Sequence, residues 1–229
     1  MANYIIATIK TWNIENSKNL AEKYPEHNFI LVTEKEKLTH KTLSEIKPEF
    51  VFFPHWSWII PEEIYKNYNC VVFHMTDLPF GRGGSPLQNL IVRGIYQTKI
   101  TAIKVEAGLD TGDIYFKEPF DISMGNADEI FSKISDLVFD KLIPRFFTEK
   151  LILKPQEGMP VVFPRRIPGQ SEIPEGLSQR QIYDYIRMLD GEGYPAAYMK
   201  YQNGRVYYRN ASLKDDIVYA KAEFRRERE

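Results

Sequence analysis

Four short apolar runs constrain this chain more than any other feature: Tyr4 to Ile9, Phe29-Ile30-Leu31-Val32, Phe50-Val51-Phe52-Phe53 and Val71-Val72-Phe73. Each is rich in β-branched or aromatic residues, is bounded by polar or turn residues, and has the length of a strand. Helical stretches at residues 15 to 24 and at Thr39 to Ile46 separate them, stopped by Pro25 and by Lys47-Pro48. Strands alternating with short helices predict an α/β fold, with a parallel sheet and crossover connections. Ligands of such sheets sit outside the carboxyl ends of the strands, so the residues leaving each run matter most. The first run leaves as Ile9-Lys10-Thr11-Trp12. No Gly-x-Gly-x-x-Gly follows it, which argues against a dinucleotide enzyme.

Farther along, Leu87, Leu90, Ile91 and Ile95 recur at helical spacing over Pro86 to Tyr96, with Ser85 as candidate N-cap. Ile100 to Val105 and Ile114 to Phe120 read as strands. Asn126 caps an amphipathic helix carrying Ile130, Phe131, Ile134, Leu137, Val138 and Leu142, which Pro144 ends. Residues 144 to 174 hold six of the fourteen prolines and read as an extended, non-helical crossover. Ser178 caps a last helix with Ile182, Ile186 and Leu189 on one face and Gly191 as its stop. Ala197 to Tyr208 alternates around Asn203-Gly204, a hairpin signal. The charged tail after Lys221 is expected to fray. The expected organisation is one domain over residues 1 to 150, then an extended linker and a small α+β helix-hairpin subdomain over 151 to 229.

Bulk properties exclude several classes. Lys and Arg total 30 against 31 Asp and Glu, so no global positive field points to nucleic acid. A single cysteine, Cys70, excludes an internal disulfide framework and suits a reducing compartment. The short N-terminal apolar run soon meets Lys10 and Glu15, unlike a signal peptide, and no window reaches the length of a membrane span. A soluble cytoplasmic protein without membrane partners is expected. Only four histidines occur, none in a His-x-x-x-His pair, so no metal site is expected.

His74 ends the fourth run and precedes the turn-rich loop Met75 to Gly84. A polar loop, Glu106-Ala107-Gly108-Leu109-Asp110-Thr111-Gly112-Asp113, follows one helix and one strand later. An imidazole beside a carboxylate can polarise a carbonyl and move a proton. The plainer alternatives are a structural histidine and an Asx turn before Gly112. Between the third and fourth runs, His55-Trp56-Ser57-Trp58-Ile59-Ile60-Pro61 offers a flat aromatic wall, although core packing is the usual fate of such residues.

These residues resemble a family. His74-Met75-Thr76-Asp77-Leu78-Pro79, Arg82-Gly83-Gly84-Ser85-Pro86 and Gly108-Leu109-Asp110-Thr111-Gly112-Asp113 are similar to the signature of the N10-formyltetrahydrofolate-dependent formyltransferases, and the 36-residue interval from His74 to Asp110 resembles theirs. Ile59-Ile60-Pro61 resembles the hydrophobic loop laid against the folate. Phe163 to Pro168, Gln181 to Arg187 and Tyr194 to Ala197 are similar to the segment that follows the catalytic domain in nucleotide-sugar formyltransferases. The likeness runs from about residue 50 to residue 208, nearest the pseudaminic-acid-type enzymes and the formylation domains of peptide synthetases.

The resemblance implies a Rossmann-like, mostly parallel formyltransferase fold and His74 and Asp110 as the catalytic pair. It implies N10-formyltetrahydrofolate as cofactor, with Trp58, Ile59, Ile60, Pro79, Arg82, Gly83, Glu106, Gly108 and Asp113 as cofactor-binding candidates. Where the family has an Asn two residues before the His, this chain has Val72. Losing one oxyanion donor typically costs about 3 kcal/mol, so Thr76 and Asp77 become candidate oxyanion or amine contacts. Arg165 and Arg166 are candidate phosphate contacts. The implied reaction is formyl transfer to the amine of a nucleotide-linked amino sugar, in particular a UDP-linked 4-amino-4,6-dideoxy sugar, for surface-glycan or flagellin-glycan biosynthesis. No nucleic-acid partner is expected, and a homodimer is a candidate assembly. Alternatives are methionyl-tRNA or glycinamide ribonucleotide formylation, a non-catalytic folate-binding protein, and a docking module using the Asn203-Gly204 hairpin.

Overall fold

The computed structural model describes residues 1–226. The four apolar runs form β1 (Asn3–Ala7), β2 (Asn28–Val32), β3 (Phe50–Phe53) and β4 (Cys70–His74). They pair in parallel within a six-stranded sheet ordered β2-β1-β3-β4-β6-β7, completed by β6 (Gln97–Lys104) and β7 (Ile114–Asp121). Helices α1 (Thr11–Lys23), α2 (His40–Ile46) and α3 (Glu62–Tyr65) occupy the crossovers. The fold is therefore α/β with a mostly parallel central sheet.

One edge departs from the expected parallel order: β6 runs antiparallel to β4, with Val71 opposite Lys104 and His74 opposite Thr101. Val105 donates its N–H to the Cys70 carbonyl, at the start of β4. The loop after β6 must therefore travel back along β4 to reach His74.

The runs are continuous in apolar residues because both faces of the sheet are covered. Ile5, Ala7, Val51 and Phe53 pack on one face with Leu43, Ile60 and Ile64. On the other, Phe50, Phe52, Phe73, Tyr115 and Phe116 surround Phe146, which sits on α6 (Arg145–Thr148). Helix α1 begins four residues before the start expected from periodicity because its buried face is largely polar: Asn13, Ser17 and Leu20.

The chain divides into two compact units, interleaved in sequence. The first comprises Met1–Arg82, Lys99–Pro119 and Ser132–Val161. The second comprises Gly83–Thr98, Phe120–Phe131 and the chain from Val162 onward. In the second unit, α4 (Pro86–Ile91) is shorter than its apolar pattern, and Gly94 follows it at a φ of 68°. Ser85 does not cap it; its hydroxyl accepts from the Arg166 N–H instead. Helix α5 (Ala127–Leu137) continues as a π-helical turn over Val138–Leu142. The proline-rich stretch is not wholly extended, since it contains α6, β8 (Val161–Phe163) and a 3-10 turn at Pro168–Ser171.

Helix α7 (Gln179–Arg187) starts with the expected Ser178 cap, closed into a capping box by Gln181. Its buried Asp184 accepts from Tyr96, Arg180 and Arg187, leaving no unpaired charge. A three-stranded antiparallel sheet, β9 (Ala197–Tyr201), β10 (Gly204–Lys214) and β11 (Ile217–Arg226), completes the unit. The tail expected to fray is thus a strand as far as Arg226; the rest of it lies outside the described residues. Its turn uses Asp215 and Asp216 at φ of 48° and 59°, a conformation aspartate tolerates. Among the described residues no helix is long and apolar enough to cross a membrane.

Candidate active site

Strand β4 brings His74 to its carboxyl end, buried and held through both ring nitrogens. Nε2 lies 2.8 Å from the Gly81 carbonyl, and Nδ1 lies 3.5 Å from Asp110 Oδ2. Both nitrogens thus face acceptor oxygens. The 3.5 Å separation exceeds an ordinary hydrogen bond, so Nδ1 remains the less committed nitrogen.

The loop after β4 holds its shape through its own polar groups. Thr76 is fully buried and donates to the same Gly81 carbonyl at 3.3 Å, while Thr101 donates to the Thr76 carbonyl at 2.6 Å. Asp77 is ion-paired with Lys99 at 2.9 Å and with Lys117, which also donates to the Leu78 carbonyl. These lysines hold the Asp77 carboxyl below the usual range against the opposing effect of its burial. Val72 stands between Phe53 and Ile103 in the sheet and packs with Leu78, Ile103 and Ile114.

The Asp110 loop needs its glycines. Gly108 has a φ of 101°, and a Cβ on Gly112 would lie 1.8 Å from the Lys104 carbonyl oxygen. Asp110 itself is left-handed, at a φ of 54°. Gln156 holds this turn: its amide donates to the Asp110 and Gly112 carbonyls at 2.8 Å each, and its Oε1 accepts from Arg82 Nε and Nη2. Sequence reasoning missed Gln156, which lies 46 residues from Asp110 in the proline-rich stretch with no pattern around it.

The other candidate residues scatter. Trp58 and Ile59 leave β3 exposed, Ile59 by 91 %, and Leu109 beside Asp110 is 67 % exposed. Ile60 instead joins the core. Pro79 follows a cis peptide bond at the head of β5 (Phe80–Gly83), and its carbonyl accepts from Val161. Asp113 offers its carbonyl to the Lys104 N–H. Glu106 pairs with Lys104 and lines a cavity of about 480 Å³ with Tyr65, Tyr68 and Asn69. That cavity lies by the start of β4, four residues and so about 13 Å from His74. In the second unit, Gly83 packs against the Phe163 carbonyl, Arg165 is exposed, and Arg166 donates to Tyr185 and Gln170. Cys70 is buried, which pushes its thiol up to about 12 and makes it a poor nucleophile. Among the described residues no His, Cys, Asp or Glu side chains gather in threes fit for a metal ion.

Residues 13–141 match the family model described as formyl transferase, and residues 168–225 match that of the methionyl-tRNA formyltransferase C-terminal domain. A methionyl-tRNA formyltransferase from Rickettsia bellii is 28% identical over 181 residues, covering 76% of this chain and 58% of the relative. The solved structure of a methionyl-tRNA formyltransferase from Clostridium thermocellum superimposes with a TM-score of 0.96 at 51% identity, covering 99% of this chain and 100% of that one. HypX from Aquifex aeolicus, solved in complex with tetrahydrofolic acid, shares the fold at a TM-score of 0.75 and 17% identity, covering 93% of this chain and 38% of its own.

These likenesses overturn the expectation of a nucleotide-sugar acceptor with no nucleic-acid partner, since the extensive matches carry the other name. Net charge averages over the whole chain. From Ala197 to Arg226, seven Lys and Arg stand against three Asp and Glu, so the C-terminal sheet is locally basic inside a nearly neutral molecule.

Proposed function

Since the chain belongs to the formyl transferase family, we propose that it transfers the formyl group of N10-formyltetrahydrofolate to the amine of methionyl-tRNA. The observation that carries the chemistry is the pinning of His74 between the Gly81 carbonyl and Asp110. The acceptor rests on the likeness to the Clostridium thermocellum protein along 99% of this chain. When bound, the folate supplies the activated formyl group. Trp58, Ile59 and Leu109, apolar and exposed on the loops that flank β4, fit a flat heterocycle.

Nε2–H donation to Gly81 fixes the imidazole ring and leaves Nδ1, 3.5 Å from Asp110 Oδ2, as the nitrogen that serves the reacting atoms. It stabilises the negative charge that develops on the formyl oxygen as the amine attacks. The Asp110 carboxylate supports the imidazolium and takes the proton that the amine loses. That proton then goes to the nitrogen that gives up the formyl group, so no net proton is gained or lost. Attack by the amine is direct, and Cys70 takes no part. With Val72 unable to donate, His74 carries the oxyanion alone among the side chains of β4.

The test is incubation of the purified chain with N10-formyltetrahydrofolate and methionyl-tRNA, followed by mass spectrometry of the amino acid released from the ester. Formylmethionine at a rate that depends on His74 is the expected result. Methionine left unmodified at saturating folate overturns the acceptor.

A further inference from the structure

The sheet order β2-β1-β3-β4 sends the chain from β1 to one side and then, after β2, to the other. The gap between the carboxyl ends of β1 and β3 is therefore the topological switch point of the parallel part, where open α/β sheets bind ligands. The reacting pair described above is not there; His74 leaves β4, the next strand over.

Asn13 clasps the two exits. Its amide donates to Thr8 Oγ1 at 2.9 Å on the β1 side and to the Pro54 carbonyl at 3.0 Å on the β3 side. This buried clasp sets Trp12 beside His55, with ring centroids 6.2 Å apart and the planes nearly perpendicular. Lys10 brings its ammonium to 5.3 Å from the Trp12 ring centroid. His55 holds a left-handed φ of 57°, uncommon for a residue with a side chain. Burial and the neighbouring Lys10 lower its pKa to about 4, so at neutral pH its ring is uncharged. Trp12 is only partly buried. An aromatic face, a cation and a neutral imidazole thus meet at the switch point.

We infer that Trp12 and Lys10 seat the 3′-terminal nucleotide of the acceptor, with its base on the Trp12 ring and its phosphate on Lys10. The inference rests on the acceptor reading above. The spacing suits it: β1 and β4 lie two strand intervals apart, about 10 Å, the reach of a ribose and an aminoacyl ester. The amine would then come to His74 while the base stays at β1. Stacking of this kind tolerates sequence but requires an aromatic ring.

The direct test is saturation-transfer NMR of adenosine 5′-monophosphate with the full chain. Transfer to the base protons is expected for the wild type, for Trp12→Phe and for His74→Ala, and loss for Trp12→Ala. Lys10→Gln should weaken binding of the monophosphate and leave adenosine, which has no phosphate, unaffected. In turnover, Trp12→Ala should raise the KM for methionyl-tRNA between about 5- and 100-fold with kcat little changed. Equal transfer in wild type and Trp12→Ala, or no transfer to the wild type, overturns the seat. If transfer depends on Trp12 but methionyl-tRNA is not formylated, the seat stands as a nucleotide site and the acceptor reading falls instead.

Discussion

His74 and Asp110 do not act as free side chains; each is held by a backbone contact that fixes its aim. Gly81 accepts from the imidazole, and Gln156 grips the turn that carries Asp110. His74→Ala is expected to lower kcat by about 10²- to 10³-fold, the range for one oxyanion donor, with unchanged folate binding by fluorescence titration. Asp110→Asn should lower kcat as well, since it keeps the shape and removes the charge that supports the imidazolium. Gln156→Leu probes positioning alone. It unties both Arg82 and the Asp110 turn, so kcat should fall while the KM for folate rises modestly, and Gln156→Glu should fail to rescue because it cannot donate to the two carbonyls. Rates for Gln156→Leu matching the wild type would show that the turn stands without it. His74 and Asp110 were legible from an apolar run ending in an imidazole and a glycine-flanked carboxylate. Gln156 was not, because a lone amide in a proline-rich stretch has no period or motif to mark it.

At the scale of elements, the Asp110 loop depends on contact distance rather than flexibility. Gly112→Ala would drive a Cβ into the Lys104 carbonyl, so the loop must shift and withdraw Asp110 from His74. A loss of activity larger than that of Gln156→Leu, together with a lower melting temperature, is the expected outcome, checked by kinetics and thermal unfolding. The four parallel strands were legible because runs buried on both faces have no polar alternation to confuse them. The start of α1 was hidden because Asn13 and Ser17, the residues it buries, look like surface residues. The reversal of β6 was hidden too, since an apolar strand reads the same in either direction. In β11 the alternation of Lys221, Glu223 and Arg225 with Ala220, Ala222 and Phe224 was itself a strand signal, masked by the charge count.

For the whole molecule, two electrostatic consequences separate the local from the average. His55 titrates near 4 in the folded chain against 6.5 in the unfolded chain. The unfolded state therefore binds more protons between those values, and stability is fully present above pH 6.5 and lost as pH falls toward 4. The contribution is at most about 3 kcal/mol, and His55→Gln should show a smaller loss of denaturant stability between about pH 7 and pH 4.5 than the wild type. The second consequence concerns the acceptor. Net charge is −1, so a tRNA has no long-range reason to approach the molecule as a whole. On the three-stranded sheet, however, Arg205 stands opposite both Lys200 and Arg225 in one row on one face, with Lys200 also paired to Glu172 and Arg225 to Glu223. Arg209 lies opposite Lys221 farther along that face. Such rows neutralise phosphates and release counterions, which makes binding fall as a power of salt concentration. If this face binds the acceptor, the binding constant for methionyl-tRNA should drop at least tenfold, roughly, between 50 and 200 mM salt. Replacing Arg205 and Arg225 with Gln should reduce the slope of log K against log salt by about one for each phosphate that is no longer neutralised. The same double variant should leave the affinity for folate unchanged. A slope that does not move would take the C-terminal sheet out of acceptor binding.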